Sequence, residues 1–175
     1  MHATLRSLRN QTLGNMQGPE IRFFTPNYTF FNALEPYKDK MLVDAGAGTG
    51  MVSKEAAEHG FDMLAIDIMP RDGQWGKVVL LDAESVPYSD DRWLLLCRPD
   101  HSGWAYDVLE LALRRGASVF YAGLERNLSI DLGEYVGRES MKWARVGEDG
   151  EDLFLFEPSC LLPSVAEADT FSSVF

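Results

Sequence analysis

At 175 residues, with 46% hydrophobic and 25% charged side chains, the chain can bury one real core and has the composition of an ordinary globular domain. Its longest apolar runs, such as Trp93–Cys97, fall far short of the roughly twenty residues a membrane-spanning helix needs, and the opening MHATLRSLRNQTLGNMQGPE has no secretory-type apolar stretch, so a cytoplasmic protein is expected. A net charge of −11 argues against direct nucleic-acid binding, and two cysteines with three scattered histidines give neither a disulfide framework nor a metal-ligand spacing.

Residues 1–20 are polar with helical potential. An aromatic-rich stretch follows, IRFFTPNYTFFNALEPYKDK, broken at Pro26, with a short helix predicted over Tyr28–Tyr37. Short continuous apolar runs then mark strands at Met41–Asp44, Asp62–Asp67, Lys77–Asp82, Trp93–Cys97 and Ala117–Ala122. Runs of this kind suit parallel strands buried on both faces. Between the first two lies GMVSKEAAEHG, a helix closed by Gly60, and between the fourth and fifth lies GWAYDVLELALRRG. Trp104, Val108, Leu111 and Ala112 share one face of that second helix, and Arg114, Arg115 and Gly116 supply its stop. The chain closes differently. MKWARV and DLFLFEP are separated only by GEDGE, which permits an antiparallel hairpin and not a parallel crossover. The expected fold is therefore α/β: a Rossmann-like, mostly parallel open sheet ending in an antiparallel hairpin. A single domain is expected over 1–175, with its core at 40–157, an N-terminal aromatic and helical segment at 1–39 and a tail at 158–175.

The stretch MLVDAGAGTGMV carries the chemistry. A Gly-rich turn between strand and helix lets backbone approach a ligand closely. Its glycines are Gly46, Gly48 and Gly50, a G-x-G-x-G pattern. The dinucleotide fingerprint G-x-G-x-x-G would put its third glycine at Met51, and no P-loop Lys follows Gly50. Asp44, two residues before the first glycine, repels a pyrophosphate and suits a ligand bearing an ammonium group. Asp67, ending the second strand, stands where a carboxylate accepts ribose hydroxyls, and Asp82, ending the third, stands where an adenine would lie.

VDAGAGTG resembles motif I of the class I (Rossmann-like) S-adenosylmethionine-dependent methyltransferases. LAIDI resembles their acidic ribose-binding segment, LLDAESVPYS the adenine-bracketing segment, and WLLLCRP sits at their fourth motif. The terminal hairpin matches their last two strands. The resemblance spans roughly residues 40–157. It implies S-adenosylmethionine as cofactor. Asp44 and the loop Ala45, Gly46, Ala47, Gly48, Thr49 and Gly50 would hold its methionine end. Asp67 would hold the ribose, Ile68 would pack on the adenine, and Asp82 and Ala83 would meet the adenine's amine and ring edge. Cys97, read as a reduced buried thiol, would flank the methionine end through its backbone, while Cys160 is given no role.

The chain departs from that family in two places. IMPRDGQWG and AESVPYSDDR leave no room for full crossover helices around the third strand. Strands two and three are then expected to need cover from residues 1–30, from the tail, or from another subunit in a homo- or hetero-oligomer, unless strand three is an edge with one wet face. The second departure is CRPDHSGW, which lacks the Asn/Asp-Pro-Pro-aromatic signature of base and glutamine N-methyltransferases. In it, His101 is the candidate general base for a hydroxyl or amine and Arg98 the candidate anchor for an anionic substrate. The plainer reading is a polar loop in which Asp100 or Ser102 caps the next helix. Phe23, Phe24, Tyr28, Phe30 and Phe31 read either as a lid over the crevice or as a core helix.

These readings converge on a S-adenosylmethionine-dependent methyltransferase acting on a small molecule or protein. A non-catalytic binding or scaffolding subunit of the same fold is the alternative. A nucleotide-binding oxidoreductase is weaker, because Met51 and Asp44 oppose it.

Overall fold

The computed structural model describes residues 24–71 and 75–160. The polar stretch 1–20, Phe23 and the tail beyond residue 160 lie outside the described residues. The elements run α1 (Tyr28–Leu34), β1 (Met41–Ala45), α2 (Met51–Glu58), β2 (Met63–Asp67), β3 (Val79–Leu80), β4 (Arg92–Cys97), α3 (Trp104–Arg114), β5 (Val119–Gly123), α4 (Glu125–Leu132), β6 (Met141–Trp143) and β7 (Asp152–Phe156). Together the strands form one seven-stranded sheet in the order β3-β2-β1-β4-β5-β7-β6. β1 to β5 are parallel, while β7 runs antiparallel to both β5 and β6. This is the Rossmann-like sheet with an antiparallel end that the strand spacing and the hairpin predict. No helix among the described residues is long and apolar enough to cross a membrane.

Strand alternation sorts the core into two layers. Val43, Ala45, Leu94, Leu96, Val119 and Tyr121 face α3 and α4. Leu42, Leu95, Phe120 and Ala122 face α1 and α2. α3 buries Ala105, Val108, Leu109, Ala112 and Leu113, and each fully buried leucine contributes about 1.5–3 kcal/mol. The face is thus centred on Leu109. Leu111 is only partly buried, one helical step off the expected stripe.

α1 corrects the lid reading of the N-terminal aromatics. Phe24, Phe30 and Phe31 are 3%, 0% and 5% exposed and pack on the central strands, and of the described aromatics of this segment only Tyr28 is open to solvent. Asn27 fixes the helix start by accepting hydrogen bonds from the Thr29 and Phe30 amides. Among the described residues, the cover this segment supplies goes mainly to β1, β4 and β5.

The third strand is much shorter than Lys77–Asp82. Only Val79 and Leu80 pair with β2, and β3 is the edge of the sheet. A short crossover explains this. Between β3 and β4 there is only the 3-10 turn Ala83–Ser85, and the described residues between β2 and β3 form no helix. Val86 and Tyr88 cover one face there, and Leu80 stays 71% exposed on the edge. An open cavity of about 490 Å³ lies beside α2, lined by Ser53, Lys54, Met63 and Lys77 among others. The helix α4, in the stretch ERNLSIDL, carries no strong apolar period and was not predicted.

Candidate functional site

The carboxyl ends of β1, β2 and β4 meet at the Gly-rich loop. Gly46, Gly48 and Gly50 all take positive φ, at 73°, 57° and 74°. The loop's backbone alone therefore calls for glycine at these alternate positions. Two of the three are also places of close approach within the protein. A Cβ on Gly46 would stand 3.1 Å from the Trp104 indole, and one on Gly50 would stand 2.8 Å from Val78 Cγ2. The residues after β2 fold back over the loop, with the Trp75 amide donating to Thr49 O at 2.7 Å.

Asp44 differs from its surroundings. It is 1% exposed in the middle of the sheet, and its Oδ2 has no hydrogen-bond partner among the described residues. Burial first, and the charge of Asp67 second, push its carboxyl up to about 7. An unpartnered buried carboxylate costs the fold free energy, and a cation with N–H donors would satisfy it. Cys97 lies at the end of the neighbouring strand. Its thiol is held well above its ordinary value by burial, then by the charges of Asp44 and Glu151, so it stays protonated and unreactive.

Asp67 holds the loop and its own turn at once. Its Oδ2 accepts from the Gly48 amide at 2.9 Å and its Oδ1 from the Met69 amide at 2.7 Å. A carboxylate has about four lone-pair sites, so hydroxyls can still be accepted. Ile68 follows it, 67% exposed and open to a flat apolar ligand.

The adenine-side residues sit differently from their expected places. Asp82 does not end β3. It caps the turn Ala83–Ser85 and accepts from the Glu84 amide at 3.0 Å. Ala83 is packed into the core, so its methyl group is not open to a ligand ring. The reason is the same short crossover, which turns the chain inward two residues after β3.

The loop after β4 is also rearranged. Arg98 takes a positive φ of 45° and its Nη1 lies 3.0 Å from Glu151 Oε1 and 3.3 Å from Asp149 Oδ2. Glu151 is 0% exposed. The guanidinium thus ties β4 to the hairpin, which is a structural use of the charge reserved above for an anionic substrate. Asp100 does not cap α3, whose N-terminus at Gly103 has no side-chain cap. It accepts instead from Ser102 Oγ at 2.5 Å and from Trp104 Nε1 at 2.8 Å, holding the indole against Gly46. His101 Nδ1 lies 2.6 Å from Oδ1 of Asp131 on α4, a carboxylate that sequence reading missed because nothing adjacent in the chain marks it.

Comparison with known proteins yields fold-level likeness. No protein-family profile matches the chain, and no curated protein matches it. Among solved structures, TrmN from Thermus thermophilus is 17% identical with a TM-score of 0.47 over 73% of this chain, which spans 47% of TrmN's length. A TehB-like S-adenosylmethionine-dependent methyltransferase from Corynebacterium glutamicum is 15% identical, with a TM-score of 0.45 over 87% of this chain and 95% of that one. The Burkholderia thailandensis 1,6-didemethyltoxoflavin-N1-methyltransferase, solved with S-adenosylhomocysteine, is 14% identical, with a TM-score of 0.38 over 74% of this chain and 60% of its own.

Proposed function

We propose that this chain is a S-adenosylmethionine-dependent methyltransferase acting on a small molecule or protein. The observation that carries the reading is Asp44 Oδ2, buried and unpartnered at the carboxyl end of β1. Its charge is what an ammonium group would pair with, and the oxidoreductase alternative, with its pyrophosphate, would place negative charge against it. Asp67 would take the ribose hydroxyls while keeping its bond to Gly48, and Ile68 would lie against the adenine. When bound, the cofactor supplies a methyl group already activated by a sulfonium. The protein's own task is then to position an acceptor and to exclude water. The two free thiols suit a reducing compartment, and we place the protein in the cytoplasm.

The alternative, a non-catalytic subunit, draws on the Trp104 indole lying against Gly46. Calorimetric titration with S-adenosylmethionine, S-adenosylhomocysteine and NADH separates the readings. Micromolar binding of the sulfur ligands alone, lost in Asp67→Ala, supports the cofactor. Methyl turnover then separates enzyme from scaffold. Met69, Trp75 and Leu80 are 74%, 59% and 71% exposed along the β2–β3 margin, and we propose that a second subunit covers them.

A further inference from the structure

His101 is the outer end of a line of hydrogen bonds that begins in the core. Tyr121 on β5 is 1% exposed, and its hydroxyl donates to Oδ2 of Asp131, which is 2% exposed on α4. Gly123, two residues further along the same strand face, leaves room for that hydroxyl. A Cβ there would stand 2.5 Å from the Tyr121 oxygen. Burial and the bond to Asp131 hold the Tyr121 phenol far above its ordinary range, so it remains a donor. The other oxygen of Asp131 faces His101 Nδ1 at 2.6 Å, and the imidazole itself is 51% exposed in the loop after β4. The same loop carries Asp100, which fixes the Trp104 indole on Gly46. His101 is thereby attached to the margin of the sheet where the Gly-rich loop lies.

An ionised carboxylate only accepts, at either oxygen, and the Tyr121 hydroxyl holds that of Asp131 in place with its other oxygen toward His101. The neutral imidazole must then carry its proton on Nδ1, which leaves the Nε2 lone pair free. We propose that Asp131, braced by Tyr121, is a positioning residue that holds His101 as a general base, and that the methyl acceptor of this protein is therefore a hydroxyl group. The proposal rests on the methyltransferase reading. A neutral amine attacks before it loses its proton, and a thioether has none to lose. A hydroxyl is a poor nucleophile unless its proton is taken as the bond forms. The step balances. The acceptor proton passes to His101 Nε2, the acceptor oxygen bonds the methyl carbon, and the electron pair of the broken carbon–sulfur bond stays on sulfur as a neutral thioether. The resulting imidazolium is charge-balanced by Asp131.

The test is the tautomer of His101, read by long-range proton–nitrogen NMR on the full-length ¹⁵N-labelled chain at a pH where the ring is neutral. The wild-type ring is expected in the Nδ1–H form, and in Asp131→Asn, whose amide presents an N–H to Nδ1, in the Nε2–H form. Tyr121→Phe removes the brace but keeps the carboxylate, so the Nδ1–H form persists, and this variant serves if Asp131→Asn fails to fold. An Nε2–H ring in the wild type overturns the proposal. So does one unchanged tautomer in all three proteins. Turnover with benzyl alcohol, phenol and benzylamine supplies the second reading. Asp131→Asn is expected to lower kcat on the hydroxyl probes by roughly 100- to 10,000-fold with KM unchanged. Methylation of benzylamine alone overturns the hydroxyl assignment while the methyltransferase reading stands. Absence of cofactor binding in a chain with the Nδ1–H tautomer overturns the methyltransferase reading and the hydroxyl assignment with it.

Discussion

The carboxylate of Asp67 accepts the Gly48 amide at 2.9 Å, so the acid that ends β2 fastens the loop that follows β1. One residue thus shapes the loop and, in the proposed function, would also accept the ribose hydroxyls of the cofactor. Asp67→Ala should lose sulfur-ligand binding beyond calorimetric detection and destabilise the fold by about 1–3 kcal/mol, since two backbone donors lose their acceptor. Asp67→Asn, which can keep one such bond through its carbonyl, should recover part of the stability, measured by urea denaturation.

Asp44 sets a pH dependence. Its folded-state carboxyl is raised to about 7 from an ordinary 3.8, by burial first and Asp67 second. Below the ordinary value both folded and unfolded chains hold the proton. Between the two values the folded chain binds more protons, so stability falls as pH rises, and above 7 the loss is complete at about 4 kcal/mol. Asp44→Asn should flatten the melting temperature against pH from 5 to about 8 and raise it at the alkaline end, while abolishing ammonium-ligand binding. Equal slopes in the two proteins would remove Asp44 from the account.

The loop glycines differ from an ordinary helix stop. At Gly116, φ is +80° and nothing stands within 4 Å of an added Cβ, so Gly116→Ala should cost about 1–2 kcal/mol of backbone strain. At Gly50, φ is similar, but Val78 Cγ2 at 2.8 Å and Gly76 O at 3.3 Å must also yield. Gly50→Ala should therefore be the more destabilising of the pair by chemical denaturation, and should separate the segment after β2 from the loop.

Arg98 pairs with a fully buried Glu151. Arg98→Met leaves that carboxylate uncompensated and should cost about 3–5 kcal/mol, whereas the double variant Arg98→Met/Glu151→Leu should recover most of the loss. A double-mutant cycle by urea denaturation reads this directly. Additive losses would return Arg98 to the list of substrate anchors.

The β2–β3 margin predicts self-association. Trp75→Lys with Leu80→Lys should lower the sedimentation coefficient to that of a monomer and leave the melting temperature of the isolated fold nearly unchanged, because both side chains are already exposed. A wild-type chain that sediments as a monomer at all concentrations would refute self-association through this margin.

Local pattern determined most of the architecture. Five short apolar runs, two helices with stop signals and a closing hairpin are each readable within about a dozen positions, because burial on both faces and helical period leave local traces, although β6 ends at Trp143 and the link to Asp152 is eight residues, not the five of GEDGE. The Gly-rich loop and the two acids at Asp44 and Asp67 were legible for the same reason. What the tertiary structure decided involves pairs far apart in the chain. Asp131 reaches His101 across 30 positions and Glu151 reaches Arg98 across 53, and no local period announces either. The extent of β3 was likewise hidden. The stretch KVVLLD has the composition of a buried strand, but a crossover too short for a helix leaves it at the edge with only Val79 and Leu80 paired. Composition states what a segment can bury; only the packed chain states what is there to bury it against.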